Sequence, residues 1–146
     1  MSNRFLYDTG VFLYATGTEH AYRAPCREIV RLAADGALFG EASVELVQEY
    51  VHVRARRSGE HGNAVRGGRY VSQLCRLHAL EPDDMSLGLS LLERSPRLQM
   101  RDALHAATAL NRDIQLILSP DRAFDQVPGL ERVDPLHALE RLLKHG

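Results

Sequence analysis

Short apolar runs alternate along the chain with longer segments in which apolar residues recur at helical spacing. The apolar runs predict strands at residues 4–7, 37–39, 77–80, 116–118 and 132–133. The helical spacing predicts helices over about residues 21–34, 43–57, 63–76, 82–95, 100–111 and 136–144. Strands and helices that alternate in this way are typical of an α/β fold, in which a short, mostly parallel central sheet is flanked by helices.

Residues that favour helix ends support several of these boundaries. Gly36 ends the first predicted helix, and Ser43 is a suitable N-cap for the second. Pro82 opens a later helix, where two carboxylates that follow it suit the positive end of the helix dipole. The helix over residues 100–111 is rich in alanine. Because its side chains are small, we expect this helix to lie close against the sheet.

Composition narrows the class of protein. The 146 residues are 45% apolar and 25% charged, which fits one globular domain over residues 1–146. The net charge of −1, from 18 basic and 19 acidic residues, disfavours a nucleic-acid binder held mainly by overall charge. Cys26 and Cys75 form no C-x-x-C motif and are expected to be buried small hydrophobic residues. With neither a secretory leader nor an 18-residue apolar stretch in the sequence, we expect a cytoplasmic location.

Two predicted strands end in a carboxylate, Asp8 after the first and Asp121 after residues 116–118. In a parallel sheet both would point into one crevice, where they would repel each other unless a cation neutralised them. Asp102 joins them only if the excursion over residues 80–96 brings the start of its helix to that edge. Glu49 follows Glu45 by one turn of the same helix. Taken singly, each of these acids could also be an ordinary turn, cap or surface residue.

Four segments carry a resemblance that covers nearly the whole chain. They are residues 7–13 (YDTGVFL), 43–49 (SVELVQE), 101–109 (RDALHAATA) and 119–130 (SPDRAFDQVPGL). In this order they resemble the PIN-domain family and, within it, the VapC-type toxins of bacterial toxin–antitoxin pairs. The resemblance implies a three-layer PIN-like fold.

The resemblance also implies a set of site residues. Asp8, Glu49, Asp102 and Asp121 take the positions of the family's acidic, metal-binding quartet. Glu49 is preferred to Glu45 because it falls six residues after Ser43, as in the family pattern. Three neighbouring positions are Thr9, the small hydroxyl residue beside the first acid, Ser119, where threonine is usual, and Gly10, where asparagine is frequent. Asp125 could replace or supplement Asp121 as the fourth acid.

A site of four carboxylates suits a particular chemistry. Hard oxygen ligands select Mg²⁺ or Mn²⁺ over zinc, and such an ion activates water and shields a phosphodiester. Together with this chemistry, the resemblance implies divalent-metal-dependent hydrolysis of RNA by a VapC-like endoribonuclease toxin. The resemblance further implies a homodimer and a cognate VapB-like antitoxin that covers the acidic groove. Whether one or two ions act is left open, as are the target RNA and the dimer interface.

Charge is distributed unevenly along the chain. Residues 52–80 carry six arginines against Glu60, a charge of +5 that leaves −6 on the remainder. Arg54, Arg56 and Arg57 directly follow the Glu49 helix and could guide a phosphate backbone, or could simply complement the helix C-terminus. The only aromatic residues near this stretch are Tyr50 and Tyr70, so base stacking is not expected there. His105 could touch substrate, although a packed or surface histidine is the simpler interpretation.

Other phosphate chemistries lack their sequence motifs. Neither G-x-x-x-x-G-K-[ST] nor G-x-G-x-x-G occurs, which excludes a P-loop NTPase and a dinucleotide-binding fingerprint. The histidines have no spacing typical of zinc ligands. The remaining alternatives are a non-catalytic PIN-like module that binds RNA or protein, a housekeeping nuclease and a DNA nuclease of the same fold.

Overall fold

The computed structural model describes residues 3–143 and contains a five-stranded, entirely parallel sheet. The strands are β1 (Leu6–Tyr7), β2 (Gly40–Ser43), β3 (Cys75–His78), β4 (Leu116–Leu118) and β5 (Glu131–Val133). They lie in the order β3-β2-β1-β4-β5. In the central register, Leu6 pairs with Glu41 on one side and with Ile117 on the other. The predicted parallel sheet is confirmed.

The described range contains seven α-helices, of which the first six connect the strands and the last follows β5. They are α1 (Thr9–Thr16), α2 (Arg23–Ala34), α3 (Val44–Ser58), α4 (His61–Leu74), α5 (Pro82–Arg94), α6 (Met100–Asn111) and α7 (Ala138–Leu142), with 3-10 helices at Arg122–Gln126 and Pro135–His137. The six predicted helices are all present within a few residues, and the end of the last predicted one, at residue 144, lies outside the described residues. Ser43 caps α3 as predicted, because its Oγ accepts a hydrogen bond from the backbone N–H of Glu45 at 3.1 Å. None of the helices described is long and apolar enough to cross a bilayer.

Three local predictions were wrong. Helix α1 was not predicted, because its apolar residues do not form a single stripe along one face. The second strand was expected at residues 37–39 but lies at Gly40–Ser43, and the third lies at Cys75–His78 rather than at 77–80. Gly40 explains part of the shift, since a Cβ there would collide with the ring of Tyr7. The strand therefore requires a residue that carries no strand signal of its own.

The sheet separates two apolar clusters, as expected for three layers. Phe5, Tyr7 and Leu118 point to the face covered by α1–α4, whereas the alternate residues Leu6 and Ile117 point to the other face. There they meet the alanines of α6, of which Ala103, Ala106, Ala107 and Ala109 are fully buried. The expected close packing of this helix is thus present. Cys26 and Cys75 are free and buried in the first cluster, also as expected.

Helices α5 and α6 form an antiparallel pair whose orientation matters for the site. Asp84, in the first turn of α5, accepts hydrogen bonds from Nη1 and Nη2 of Arg112, just beyond the last turn of α6, at 2.9 and 3.0 Å. Because β4 begins just after α6 ends, the start of α6 lies at the opposite edge of the sheet, where the strands have their carboxyl ends. The segment between β3 and α6 therefore places Asp102 at the same edge of the sheet as Asp8.

Candidate functional site

A groove opens where the order of the strands reverses. From β1 the chain adds β2 and β3 on one side, whereas β4 and β5 lie on the other, so that the connections diverge above β1 and β4. Such a switch point is the usual ligand site of an open α/β sheet. The groove here has a volume of about 1040 Å³, and all four predicted acids line it: Asp8, Glu49, Asp102 and Asp121.

Asp8 lies directly after β1 and is 7% exposed. Its Oδ1 accepts a hydrogen bond from the backbone N–H of Thr9 at 2.8 Å, and its Oδ2 accepts one from the Oγ of Ser119 at 2.6 Å. The Ser119 Oγ also accepts the backbone N–H of Asp121 at 3.0 Å. Burial raises the pKa of Asp8, while the charge of His105 and the bond from Ser119 act in the opposite direction. Ser119 thus connects the ends of β1 and β4.

Asp102 stands in the first turn of α6 and is 8% exposed. Its Oδ2 accepts the backbone N–H of Gln99 at 3.3 Å, which makes it part of the capping box of that helix. Burial raises the pKa of Asp102 to about 6, with added repulsion from Asp8 and from Asp121. Asp121 caps the following 3-10 helix through the N–H of Ala123 at 2.9 Å. Asp102 is therefore repelled by both other aspartates, although the three come from separate segments.

Glu49 lies on α3 at the side of the groove and has three partners. The Thr9 Oγ1 donates to its Oε1 at 2.7 Å, the Arg101 Nε lies 3.0 Å from its Oε2, and the His105 Nε2 lies 3.6 Å from its Oε1. Burial alone would raise the pKa of Glu49. The contact with His105, the hydrogen bond from Thr9 and the charges of His105 and Arg101 outweigh it and leave this pKa below its ordinary value.

His105 is fully buried, in agreement with the simpler interpretation of this residue as a packed histidine. Its Nε2 also lies 3.2 Å from the Thr9 Oγ1. Burial lowers the pKa of His105, but its contact with Glu49 and the nearby charge of Asp8 leave the net shift upward. The sequence pattern showed that His105 shares a helix with Asp102. It did not show that both His105 and Thr9 hold Glu49, because these contacts join three separate elements.

The alternative acids lie elsewhere. Glu45 is half-buried on α3 and does not line the groove. Asp125 accepts a hydrogen bond from the Arg132 Nε at 2.8 Å and also lies outside the groove lining. Geometry therefore favours Glu49 and Asp121 over these alternatives as members of the quartet. The role of the quartet as metal ligands stays a prediction.

The residues present fit a hard divalent cation in ligand type and in charge. Four carboxylates line one groove, and two of them, Asp8 and Asp102, have raised pKa values because they are buried beside other negative groups. A divalent cation would relieve this repulsion. The groove is not a preassembled cage. Between residues 3 and 143, no three histidine, cysteine, aspartate or glutamate side chains are arranged to hold an ion as they stand.

Four arginines line the same groove: Arg54, Arg57, Arg101 and Arg122. Two of the three arginines singled out by the sequence are among them, whereas Arg56 is exposed outside the groove. Arg101 and Arg122 were missed. The signal for both was their position next to a predicted acid, Asp102 and Asp121 respectively. The groove thus combines an acidic centre with basic side chains, an arrangement that suits a phosphodiester approaching a metal ion.

The chain is similar in sequence to proteins of a known family. A family model described as PIN domain matches residues 5–130. The chain is 36% identical over 129 residues to Ribonuclease VapC7 of Mycobacterium tuberculosis, an alignment that covers 88% of this chain and 89% of that protein. It is 30% identical over 118 residues to Ribonuclease VapC23 of the same species, covering 78% of this chain and 90% of that protein.

Solved structures share the fold at lower sequence identity. The crystal structure of Mycobacterium tuberculosis VapC20, described as a Sarcin-Ricin loop cleaving toxin, superposes with a TM-score of 0.67 at 18% identity, covering 86% of this chain and 98% of that one. DNA-bound VapBC from Salmonella typhimurium gives a TM-score of 0.67 at 16% identity, with coverage of 91% and 98%. These likenesses confirm the three-layer α/β architecture.

Proposed function

Because this chain belongs to the PIN-domain family and, within it, to the VapC ribonucleases, we propose that it is a divalent-metal-dependent endoribonuclease that acts as the toxin of a toxin–antitoxin pair. The observation that carries the proposal is the convergence of Asp8, Glu49, Asp102 and Asp121 on one groove at the switch point of the sheet. The comparisons support it, since relatives that align over most of this chain are named ribonucleases.

The four carboxylates would hold Mg²⁺ or Mn²⁺. When bound, the ion supplies a more acidic water and offsets the negative charge of the phosphodiester. The chain's own residues fix the carboxylates: Thr9 N–H and Ser119 hold the two oxygens of Asp8, and Thr9 Oγ1 holds Glu49. Outer partners of this kind orient ligands and typically change metal affinity by about 10–100-fold when they are removed.

The arginines of the groove position the substrate. Arg54, Arg57 and Arg122 line it beside the acids and offer charge-assisted hydrogen bonds to phosphate oxygens. Arg101 is 58% exposed at the rim and pairs with Glu49, so it balances part of the acidic charge as the RNA backbone arrives. This arrangement allows a chain with a net charge of −1 to bind RNA through a local rather than an overall charge.

The test is cleavage of single-stranded RNA by Asp8→Asn and Asp102→Asn variants. Both should lose at least about 100-fold in rate and keep the wild-type circular dichroism spectrum, because only a charge is removed. Glu45→Gln, outside the groove, is the matched control and should cleave normally. Chelation should abolish wild-type cleavage, and added Mn²⁺ or Mg²⁺ should restore it. Undiminished cleavage by both aspartate variants would falsify the proposal, and RNA binding without cleavage would favour the non-catalytic module.

The proposed partners are RNA, a second copy of the chain and a cognate antitoxin. An acidic groove attracts cationic groups, so the antitoxin should present arginine or lysine to the carboxylates. Several similar solved structures are described as toxin–antitoxin or VapBC complexes. Because RNA is the substrate, the proposed location is the cytoplasm. Expression without the antitoxin should arrest growth, whereas harmless expression of active enzyme would favour a housekeeping ribonuclease.

A further inference from the structure

Three aromatic rings form a cluster around the connection between α1 and α2. The ring centroids of Tyr14 and His20 are 4.6 Å apart, and those of Tyr14 and Tyr22 are 5.6 Å apart. The rings of His20 and Tyr22 are stacked, with an interplanar angle of 14° and centroids 5.9 Å apart. The cluster therefore contains a pair of nearly parallel rings beside a tilted third.

This cluster lines the same groove as the four acids. Tyr14 and Tyr22 are half-buried, and His20 is exposed, so the cluster is partly packed against the protein and partly open to solvent. Because His20 is exposed, its ring contributes little to the apolar core. Arg54 and Arg57 line the groove too, which places phosphate-binding charge in the same cavity as the rings.

Hydrogen bonds hold two of the three rings, those of Tyr22 and His20, in place. The Tyr22 hydroxyl donates to the Asp134 Oδ2 at 2.8 Å, and the Tyr22 backbone N–H donates to the His20 Nδ1 at 3.1 Å. The second bond fixes the plane of the imidazole and leaves its Nε2 directed away from the backbone contact. The preceding turn is attached to α3, because the Arg54 Nη1 donates to the Thr16 carbonyl at 3.1 Å. The aromatic cluster is thus held in position before any ligand binds.

We infer that Tyr14, His20 and Tyr22 form a stacking subsite for an unpaired RNA base in the groove that also holds the acids. The inference rests on the proposed ribonuclease function and deepens it. Proteins read single-stranded RNA by stacking splayed bases on aromatic rings while basic side chains hold the backbone. All these components line one cavity here. The subsite selects for single-stranded RNA, since a base within a duplex has no free face for the His20 ring.

The sequence did not predict this subsite. Base stacking was not expected, because only Tyr50 and Tyr70 lie near the arginine-rich stretch. Tyr50 is only 3% exposed and belongs to the core, and Tyr70 is exposed on α4 outside the groove. The fold instead brings in aromatic residues from the N-terminal segment, which carries no cluster of basic residues.

The experiment uses a mixed-sequence, single-stranded RNA 12-mer in which one nucleotide at a time is replaced by an abasic one. For the wild type, one or two abasic positions near the cleaved bond should raise KM about tenfold. His20→Ala should raise KM similarly on the intact RNA, and the abasic substitution should then add no further loss. His20→Phe, which keeps a ring, should behave like the wild type. His61→Ala, an exposed histidine outside the groove, is the control.

A binding measurement separates this inference from the proposed function. In the Asp102→Asn background, a 12-mer containing 2-aminopurine should lose fluorescence on binding, because the base stacks, and His20→Ala should abolish that loss. This readout needs no cleavage, so an inactive wild type would overturn the proposed function alone. A wild-type KM and unchanged quenching in His20→Ala would overturn the stacking subsite while cleavage stands. Tyr22→Phe loses the bond to Asp134 but keeps the ring, and it should retain most of the quenching, whereas Tyr22→Leu should lose it. This pair shows that the aromatic ring, and not only the filled space, is needed for stacking.

Discussion

The Ser119 Oγ donates a hydrogen bond to the Asp8 Oδ2 at 2.6 Å and joins residues that are 111 positions apart in the chain. Both side chains are buried, and each directly follows a strand of the central pair, β1 and β4. The hydroxyl also accepts the N–H of Asp121. One serine therefore orients the first acid of the quartet and the backbone of the last.

Replacing Ser119 should affect both stability and activity. Ser119→Ala leaves a buried carboxylate oxygen without its donor, which should cost about 1–3 kcal/mol in the free energy of unfolding. The bond lowers the pKa of Asp8, so its loss should raise that pKa further and weaken metal binding. Urea unfolding and Mn²⁺ titration of the variant measure the two effects. Ser119→Thr keeps the hydroxyl and serves as the control, and equal metal affinity in all three proteins would contradict the assignment.

Thr9 offers a test of how Glu49 is held. Thr9→Val preserves shape but removes the hydroxyl that donates to the Glu49 Oε1 at 2.7 Å. We expect cleavage at limiting Mn²⁺ to fall about 10–100-fold, because the carboxylate loses its orientation. Thr9→Ser should retain most activity. If saturating Mn²⁺ fails to reduce the defect of Thr9→Val, the hydroxyl acts on something other than metal binding.

Arg57 and Arg56 are adjacent in sequence but differ in position, since only Arg57 lines the groove. In the Asp102→Asn background, Arg57→Ala should weaken binding of single-stranded RNA and reduce the slope of log K against log salt by about 0.7, the value for one lost phosphate contact. Arg56→Ala should leave the slope unchanged. The measurement is RNA binding between about 50 and 200 mM salt. Equal slopes for both variants would show that Arg57 in the groove makes no specific contact with the RNA backbone.

Asp84 supports the site from a distance. It is 1% exposed and is bound by both Nη atoms of Arg112, by the Asn111 Nδ2 and by the N–H of Glu81. Asp84→Ala leaves a guanidinium and several donors without their partner, and we expect a loss of about 3–5 kcal/mol in unfolding free energy. Asp83→Ala, an exposed carboxylate in the same helical turn, should cost under about 1 kcal/mol. Chemical denaturation of the two variants checks this, and similar losses would refute a special role for the buried pair.

The contacts of Glu41 should make the stability of the fold depend on pH. The hydrogen bonds from Arg4, at 2.8 Å, lower the pKa of Glu41; burial opposes this, and the bond with His78 reinforces it. A carboxylate with a lowered folded-state pKa contributes stability above its unfolded value, here 4.5, and loses it as the pH falls through the folded value. Unfolding free energy should therefore decline below pH 4.5, and the decline should be smaller in Glu41→Gln. An identical slope in the variant would assign the acid sensitivity to other carboxylates.

Much of the fold could be predicted from local patterns. The six helices expected from apolar spacing are present, and Ser43 caps α3 as predicted. Helix α1 and the bounds of β2 could not be found in this way. The residues of α1 are apolar on several faces, and β2 depends on Gly40 fitting beneath the rings of Phe5 and Tyr7.

The candidate site, like the fold, could be predicted from the sequence only in part. Asp8 and Asp121 could be predicted to share a crevice because both follow strands of a parallel sheet. Asp102 depended on the direction of α6, and the contacts of His105 and Arg101 with Glu49 depended on the packing of that helix beside α3. Neither had a signal in spacing alone. The role of the four acids in binding a metal remains a prediction, which the experiments above test.

The sequence by itself determined six of the seven described helices, the presence of five strands and which acids stand at strand ends, because periodicity and capping act over a few neighbouring residues. Only the tertiary structure decided that α6 starts at the edge carrying Asp8, and that Tyr14, His20 and Tyr22 share a groove with the acids. Those outcomes follow from contacts between distant residues, such as Asp84 with Arg112, whose geometry is fixed only when the layers of the fold pack together.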